Sequence, residues 1–239
     1  MQYDFSPFYA QYEQLAQEAE QIFMTVQQKC PEQVRCYLGC CECCYAMFDL
    51  TLVEAMYINK KFNQNLPEKQ KEEVLQKADE ADRQAYRIKR QIYKQKQKGK
   101  DTDSILEDVG RYRVRCPLLT AENQCLLYAH RPITCRLYGI PMSMDGIVRT
   151  CAHSGFEQGG QYPTVYMEKI YKRLQDINQN LVQSIPTKHL QLAEVMVPLS
   201  MALLNNYDQE YLGLDFSHSK KAAASKGPAE WTLPGSEDR

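Results

Sequence analysis

Ten cysteines in 239 residues, six of them between Cys30 and Cys44, constrain this chain more than any other feature. Thiols gathered so densely pair as disulfides, bind a metal, or lie buried as small apolar side chains. The first group is Cys36-x3-Cys40-x2-Cys43-Cys44, with Cys30 before it and Cys41 inside it. The second is Cys116-x8-Cys125-x9-Cys135-x15-Cys151. An even count suits a disulfide framework in an exported protein. The start, Met1-Gln2-Tyr3-Asp4-Phe5, has no basic n-region, and no apolar stretch follows it. The longest greasy run, 195–204, is interrupted by Pro198 and Ser200 and falls short of the about 20 apolar residues of a membrane span. The expectation is a cytoplasmic protein with no membrane span, in which clustered cysteines are metal ligands or redox thiols.

Spacing then suggests which thiols act together. Two or three residues between cysteines let one turn of backbone bring two sulfurs to a common centre, about 2.3 Å from a zinc ion. Adjacent Cys43 and Cys44 point apart and suit two centres, or a centre and its surroundings. The later cysteines close the site from a distant part of the chain, tying residues 36–44 to residues 116–151.

Elsewhere the pattern is helical. Phe5, Phe8, Tyr12, Leu15, Ala19, Ile22 and Val26 recur at steps of three and four, and Pro31 stops that helix. Thr51 and Glu54 form a capping-box pattern for a second. A long charged helix runs from about Pro67 to Lys98, with a seam of Val74, Ala78, Ala81, Ala85, Ile88 and Ile92, and Gly99 ends it. Two further helices are expected at 163–183 and 188–212, the last kinked by Pro198. From Asp215 the composition predicts a disordered tail. The fold class is therefore mainly α: one helical domain over 1–214, helices packed around an irregular cysteine-rich metal-binding region at 36–151, a charged helical insert at about 60–100, and little or no β-sheet.

The first cysteine group, together with Cys116-Pro117-Leu118-Leu119, Cys125-Leu126-Leu127-Tyr128 and Arg131-Pro132-x2-Cys135-Arg136-x-Tyr138, resembles the YkgJ-type cysteine-cluster family, described as a zinc- or iron-chelating domain. The likeness covers about residues 36–151. It implies eight thiolate ligands: Cys36, Cys40, Cys43, Cys44, Cys116, Cys125, Cys135 and Cys151. No motif surrounds Cys151, and His153 is a substitute beside it. Cys30 and Cys41 are left over and read as buried small residues. Related cysteine-cluster domains occur in flagellin lysine methylases, but this chain has no recognisable nucleotide or cofactor loop.

Four-thiolate sites suit both zinc and iron–sulfur clusters. Structural zinc favours paired Cys-x2–4-Cys knuckles, and only the first half has such short spacing. The preference is an iron–sulfur cluster of the 4Fe-4S type, with zinc as the alternative. Arg131 and Arg136 stand near cysteines and are expected to donate to the sulfurs from the second coordination sphere.

The resulting function is a metal-binding protein, structural or electron-transferring, with an unidentified redox or protein partner. An alternative is an iron–sulfur-dependent enzyme or enzyme accessory. Cys36-x3-Cys40-x2-Cys43 has radical-SAM spacing, but Glu42 replaces the usual aromatic residue and Cys44 supplies a fourth thiolate. A second alternative is a nucleic-acid-binding module through residues 83–100, which carry eight basic and no acidic side chains. The acid-rich turns before them and a net charge of −1 favour a solvated helix face over nucleic acid. Catalytic signatures such as a P-loop or His-Glu-x-x-His are missing. The four histidines are scattered without carboxylate partners in sequence.

Overall fold

The computed structural model describes residues 3–101, 104–105, 108, 112–157 and 159–214. The tail expected at 215–239 lies outside the described residues.

Helix α1 (Ser6–Lys29) buries Tyr12, Leu15, Ala16, Ala19 and Val26 along one stripe. Pro7 sits in its first turn, where a missing N–H leaves no gap. Cys30 closes it by donating its amide to Val26. Helix α2 (Leu52–Asn65) starts at the capping box: the Thr51 amide and hydroxyl both donate to the Glu54 carboxylate, at 3.4 and 3.3 Å. Its first seven residues, Leu52 to Ile58, are all buried, so α2 forms the middle of the core.

Pro67 caps helix α3 (Glu68–Gln97). Only a narrow seam of α3 is buried, Val74, Ala78, Ala81 and Ile88. The two alanines let it lie close against helix α6 (Leu199–Leu204). Gly99, at φ +82, takes the left-handed conformation that ends the helix without a Cβ penalty. Two further helices among the described residues pack onto these. Short α4 (Ile133–Leu137) packs on α1, and α5 (Met167–Gln183) packs on α1 and α2. No described helix is long and apolar enough to cross a membrane.

The fold is mainly helical, but it carries two small sheets where little or no strand was expected. Strand β1 (Asp49–Thr51) pairs antiparallel with β5 (Met196–Pro198) in the register Leu50↔Val197. Strand β2 (Met142–Met144) lies between β3 (Ile147–Arg149), antiparallel, and β4 (Val165–Tyr166), parallel. Asp145 and Gly146, at φ 51 and 78, make the two-residue turn between β2 and β3, where both positions require positive φ.

The long helix expected at 188–212 is absent. In its place come a 3₁₀ turn at Leu192–Glu194, strand β5 and the six-residue α6. The reason is Pro198. Lacking an N–H, it cannot sit in a helix interior, but it can end a two-stranded ribbon and cap the next helix. It does both here.

Candidate metal centre

The backbone brings the cysteines together in a few steps. After α1 the chain turns at Gly39 (φ +94) and winds a short 3₁₀ helix, Glu42–Tyr45, that carries Cys43 and Cys44. The segment after α3 runs alongside it: the Cys116 amide donates to Cys44 O at 2.7 Å, and Val114 to Tyr45 O at 3.4 Å. A tight loop follows, with Leu119 bridged to Cys125 and the Leu126 amide on Leu118 O. Helix α4 presents Cys135. The loop after β3 supplies Cys151, anchored nearby by Gly155 donating to Gln33 O at 2.8 Å.

Eight thiols line one open cavity of about 660 Å³: Cys36, Cys40, Cys43, Cys44, Cys116, Cys125, Cys135 and Cys151. Cys30 and Cys41 are not in its lining. Cys30 is buried at the end of α1, as its reading as a small apolar residue requires, whereas Cys41, read the same way, is only half-buried. All ten cysteines are free thiols. His153 also stays out of the cavity. Its ring is 3.3 Å from Glu42, which the Arg113 guanidinium grips through both carboxylate oxygens.

Cys43 neighbours Cys135 and Cys44, and Cys44 neighbours Cys116. Thiol contacts hold Cys43 and Cys116 below the ordinary thiol range and push Cys44 and Cys135 up. Burial raises Cys36 and Cys125 to about 11, and Cys151 upward as well. The neighbouring charges of Cys40 and Cys151 push Cys36 the same way, which places these three near one another. Among the described residues, no three His, Cys, Asp or Glu side chains already form a set that could hold a metal ion. The donor chemistry is nevertheless that of a soft-metal site, since thiolates select zinc and iron–sulfur clusters.

Arg131 and Arg136 also line the cavity, but their hydrogen bonds go elsewhere than to sulfur. Both grip Glu20 of α1, at 3.0 and 2.8 Å. Their other N–H groups donate to the carbonyls of Tyr128, Ala129 and Arg131. Arg131 acts on the thiols through its field, which favours the ionised forms of Cys36, Cys43 and Cys125. Its guanidinium also stacks on Tyr128, 4.1 Å from the ring centre.

Three residues of the site carry no mark in the sequence. Glu20 sits on the polar face of α1 and is told apart from its neighbours only by its distant partners. Gly139 makes room for a ligand candidate: a Cβ there would lie 2.2 Å from Cys36 Sγ and 3.3 Å from the Phe23 ring. His130, without a carboxylate near it in sequence, lines the cavity and is held by Tyr57.

The basic stretch at 83–100 is partly neutralised. Arg83 pairs with Asp79, Lys89 with Asp49 and Lys100 with Asp108. Tyr86 and Tyr93 are exposed on the same helix. Comparison with protein-family models, with curated proteins and with solved structures found no match.

Proposed function

We propose that this chain is a metal-binding protein of the cysteine-cluster type, with a thiolate-held iron–sulfur cluster or zinc in the cavity between α1, α4 and the 36–45 loop. The centre is structural or transfers electrons, and the working compartment is the cytosol. One observation carries the reading. Eight thiols from five separate stretches of chain face one space, while the two spare cysteines do not. Unrelated buried cysteines have no reason to sort in that way.

Iron–sulfur remains the preferred occupant. A single zinc ion needs four sulfurs closed about one point at about 2.3 Å. Thiols spread along the wall of a cavity of about 660 Å³ suit a multi-atom cluster held by its periphery. Eight thiols also suffice for two four-cysteine clusters. Cys36, Cys40, Cys43, Cys44, Cys116, Cys125, Cys135 and Cys151 would hold the group. Bound there, it supplies one-electron exchange if it is iron–sulfur, or cross-linking of the two cysteine segments if it is zinc.

The test is anaerobic purification followed by iron, sulfide and zinc analysis with an absorption spectrum. Near-stoichiometric metal is expected, with broad visible absorption for iron–sulfur. Cys40→Ser and Cys135→Ser should each lower metal content, and Cys41→Ser should not. Metal-free protein that also resists reconstitution would defeat the proposal.

A further inference from the structure

We propose that the Glu42 carboxylate and the Arg113 guanidinium form a clamp that sets three cysteine-bearing segments in place ahead of the metal, which makes both of them positioning residues of the centre. This rests on the metal-binding reading and extends it to how the ligands are held for capture. Arg113 donates from one terminal nitrogen to Glu42 Oε2 at 2.9 Å and from the other to Oε1 at 3.0 Å. Two parallel bonds of this kind fix angle as well as distance. His153 Nε2 lies 3.3 Å from the same Oε1. Glu42 stands between Cys40 and Cys43, Arg113 three residues before Cys116, and His153 two residues after Cys151. One carboxylate therefore meets a side chain from each of the other two segments, and together the three carry Cys40, Cys43, Cys44, Cys116 and Cys151 of the cavity.

The clamp closes from the outside. Glu42 lines the cavity and its side chain is 17% exposed, against 51% for Arg113 and 66% for His153. Arg113 also stacks on the Tyr45 ring at 4.6 Å, and its carbonyl accepts from Gln84 of α3 at 3.2 Å. Arg115, next along the same stretch, donates to the Tyr45 hydroxyl at 3.0 Å. These side chains reinforce the two backbone hydrogen bonds, Cys116 to Cys44 and Val114 to Tyr45, that join the stretch to the 3₁₀ turn. An ion pair this exposed adds little to global stability, so its effect falls on the position of the segments it joins.

Charge makes the two partners unequal. Ligand thiols bind metal as thiolates, so the filled site is rich in negative charge. A bare carboxylate on the cavity wall repels that charge, and the guanidinium cancels it. Losing Arg113 alone is therefore worse than losing both partners together.

The experiment uses the full chain, reduced and anaerobic, in two arms. Titration with Co²⁺, followed by the thiolate–cobalt absorption, gives metal affinity, and amide hydrogen exchange of the metal-free protein reports the segments. Arg113→Met should weaken cobalt binding about tenfold, the lower end of what such outer partners contribute, and speed exchange at the Val114 and Cys116 amides, with the urea midpoint unchanged. The double variant Arg113→Met with Glu42→Gln should bind cobalt more tightly than Arg113→Met alone. Arg113→Lys should fall between wild type and Arg113→Met, because an ammonium restores the charge but not the fork. Wild-type affinity and exchange in Arg113→Met would overturn the clamp and leave the metal site standing. A lowered urea midpoint in Arg113→Met and Arg113→Lys alike would overturn it too, by marking a role in the whole fold. A wild-type chain that binds neither cobalt nor iron with sulfide would overturn the metal-binding reading itself, and the clamp as a positioning device with it.

Discussion

Glu20 is the single acid between two nearly buried arginines, and replacing it by Gln should be costly although Glu20 is itself partly exposed. The side chains of Arg131 and Arg136 are 12% and 11% exposed, against 31% for Glu20. Each pair is worth about 4 kcal/mol of Coulomb energy at an effective dielectric of about 20. Desolvation of the three charges takes back most of that when the site forms. Removing only the acid forfeits the attraction without restoring water to the two guanidiniums. A fully buried pair broken in this way loses about 3–5 kcal/mol. Water at Glu20, the carbonyls that still accept from both arginines, and the amide oxygen of Gln reduce the loss to about 2 kcal/mol. For a domain of this size that lowers Tm by about 4–8 °C. The control is Glu18→Gln two residues earlier, which breaks a pair with Arg173 that is 40% and 48% exposed and should stay within about 0.5 kcal/mol. Urea denaturation and thermal melts of the reduced, metal-free variants compare the two directly. Equal losses at Glu18 and Glu20 would refute the argument that the cavity-lining arginines depend on this carboxylate.

Asn178 is fully buried and accepts from the Val53 amide at 2.9 Å. Ala193 O, which accepts from Asn178, also accepts from Gln175, so Asn178→Leu strands one donor only. The expected loss is about 2 kcal/mol, read from denaturant midpoints, and a neutral result would reject it. Glu54 is pushed up from 4.5 to about 7, first by burial. Its folded form holds the proton more tightly, so its contribution to stability is full below about pH 4.5 and is lost as pH rises towards 7, by about 3 kcal/mol in all. Glu54→Gln should flatten that part of the stability–pH curve, and an unchanged slope would remove Glu54 as its source. Gly139→Ala puts a Cβ against Cys36 Sγ and should displace that thiol. Metal content is expected to fall with far-UV circular dichroism unchanged, and full retention of metal would show that Cys36 is not needed in its present position.

Much of the helical frame is legible in the residues because its signals are local. The three-and-four spacing from Tyr12 to Val26, the Thr51–Glu54 cap and the Pro67 start each act within a turn or two. The strands were not legible. Each is two or three residues long, and β1 meets β5 only because residues far apart in sequence fold together. The region 188–212 has an apolar period that suits a helix, but a tertiary partner for Met196–Pro198 and the missing N–H of Pro198 prevail. The eight thiols that line one cavity were named through the family resemblance, which spacing alone does not supply. The actual partners of Arg131 and Arg136 could not, since Glu20 lies over a hundred residues earlier. The same holds for His130, which meets the Glu13 carboxylate through the hydroxyl of Tyr57 on another helix.

The cavity is built by closing residues 36–45 on a segment that begins beyond the long α3. That order of assembly has a consequence during synthesis. Cys36, Cys40, Cys43 and Cys44 leave the ribosome first, and Cys151 follows about a hundred residues later, a delay of about 5–20 seconds at ordinary elongation rates. Through that interval half the thiols are out without their partners, while α3 forms by local contacts alone. A metal captured early would be held by the first cysteine group only, in whatever geometry those four allow. On the proposed metal-binding reading, only metal that arrives after Cys151 has emerged meets all eight thiols at once.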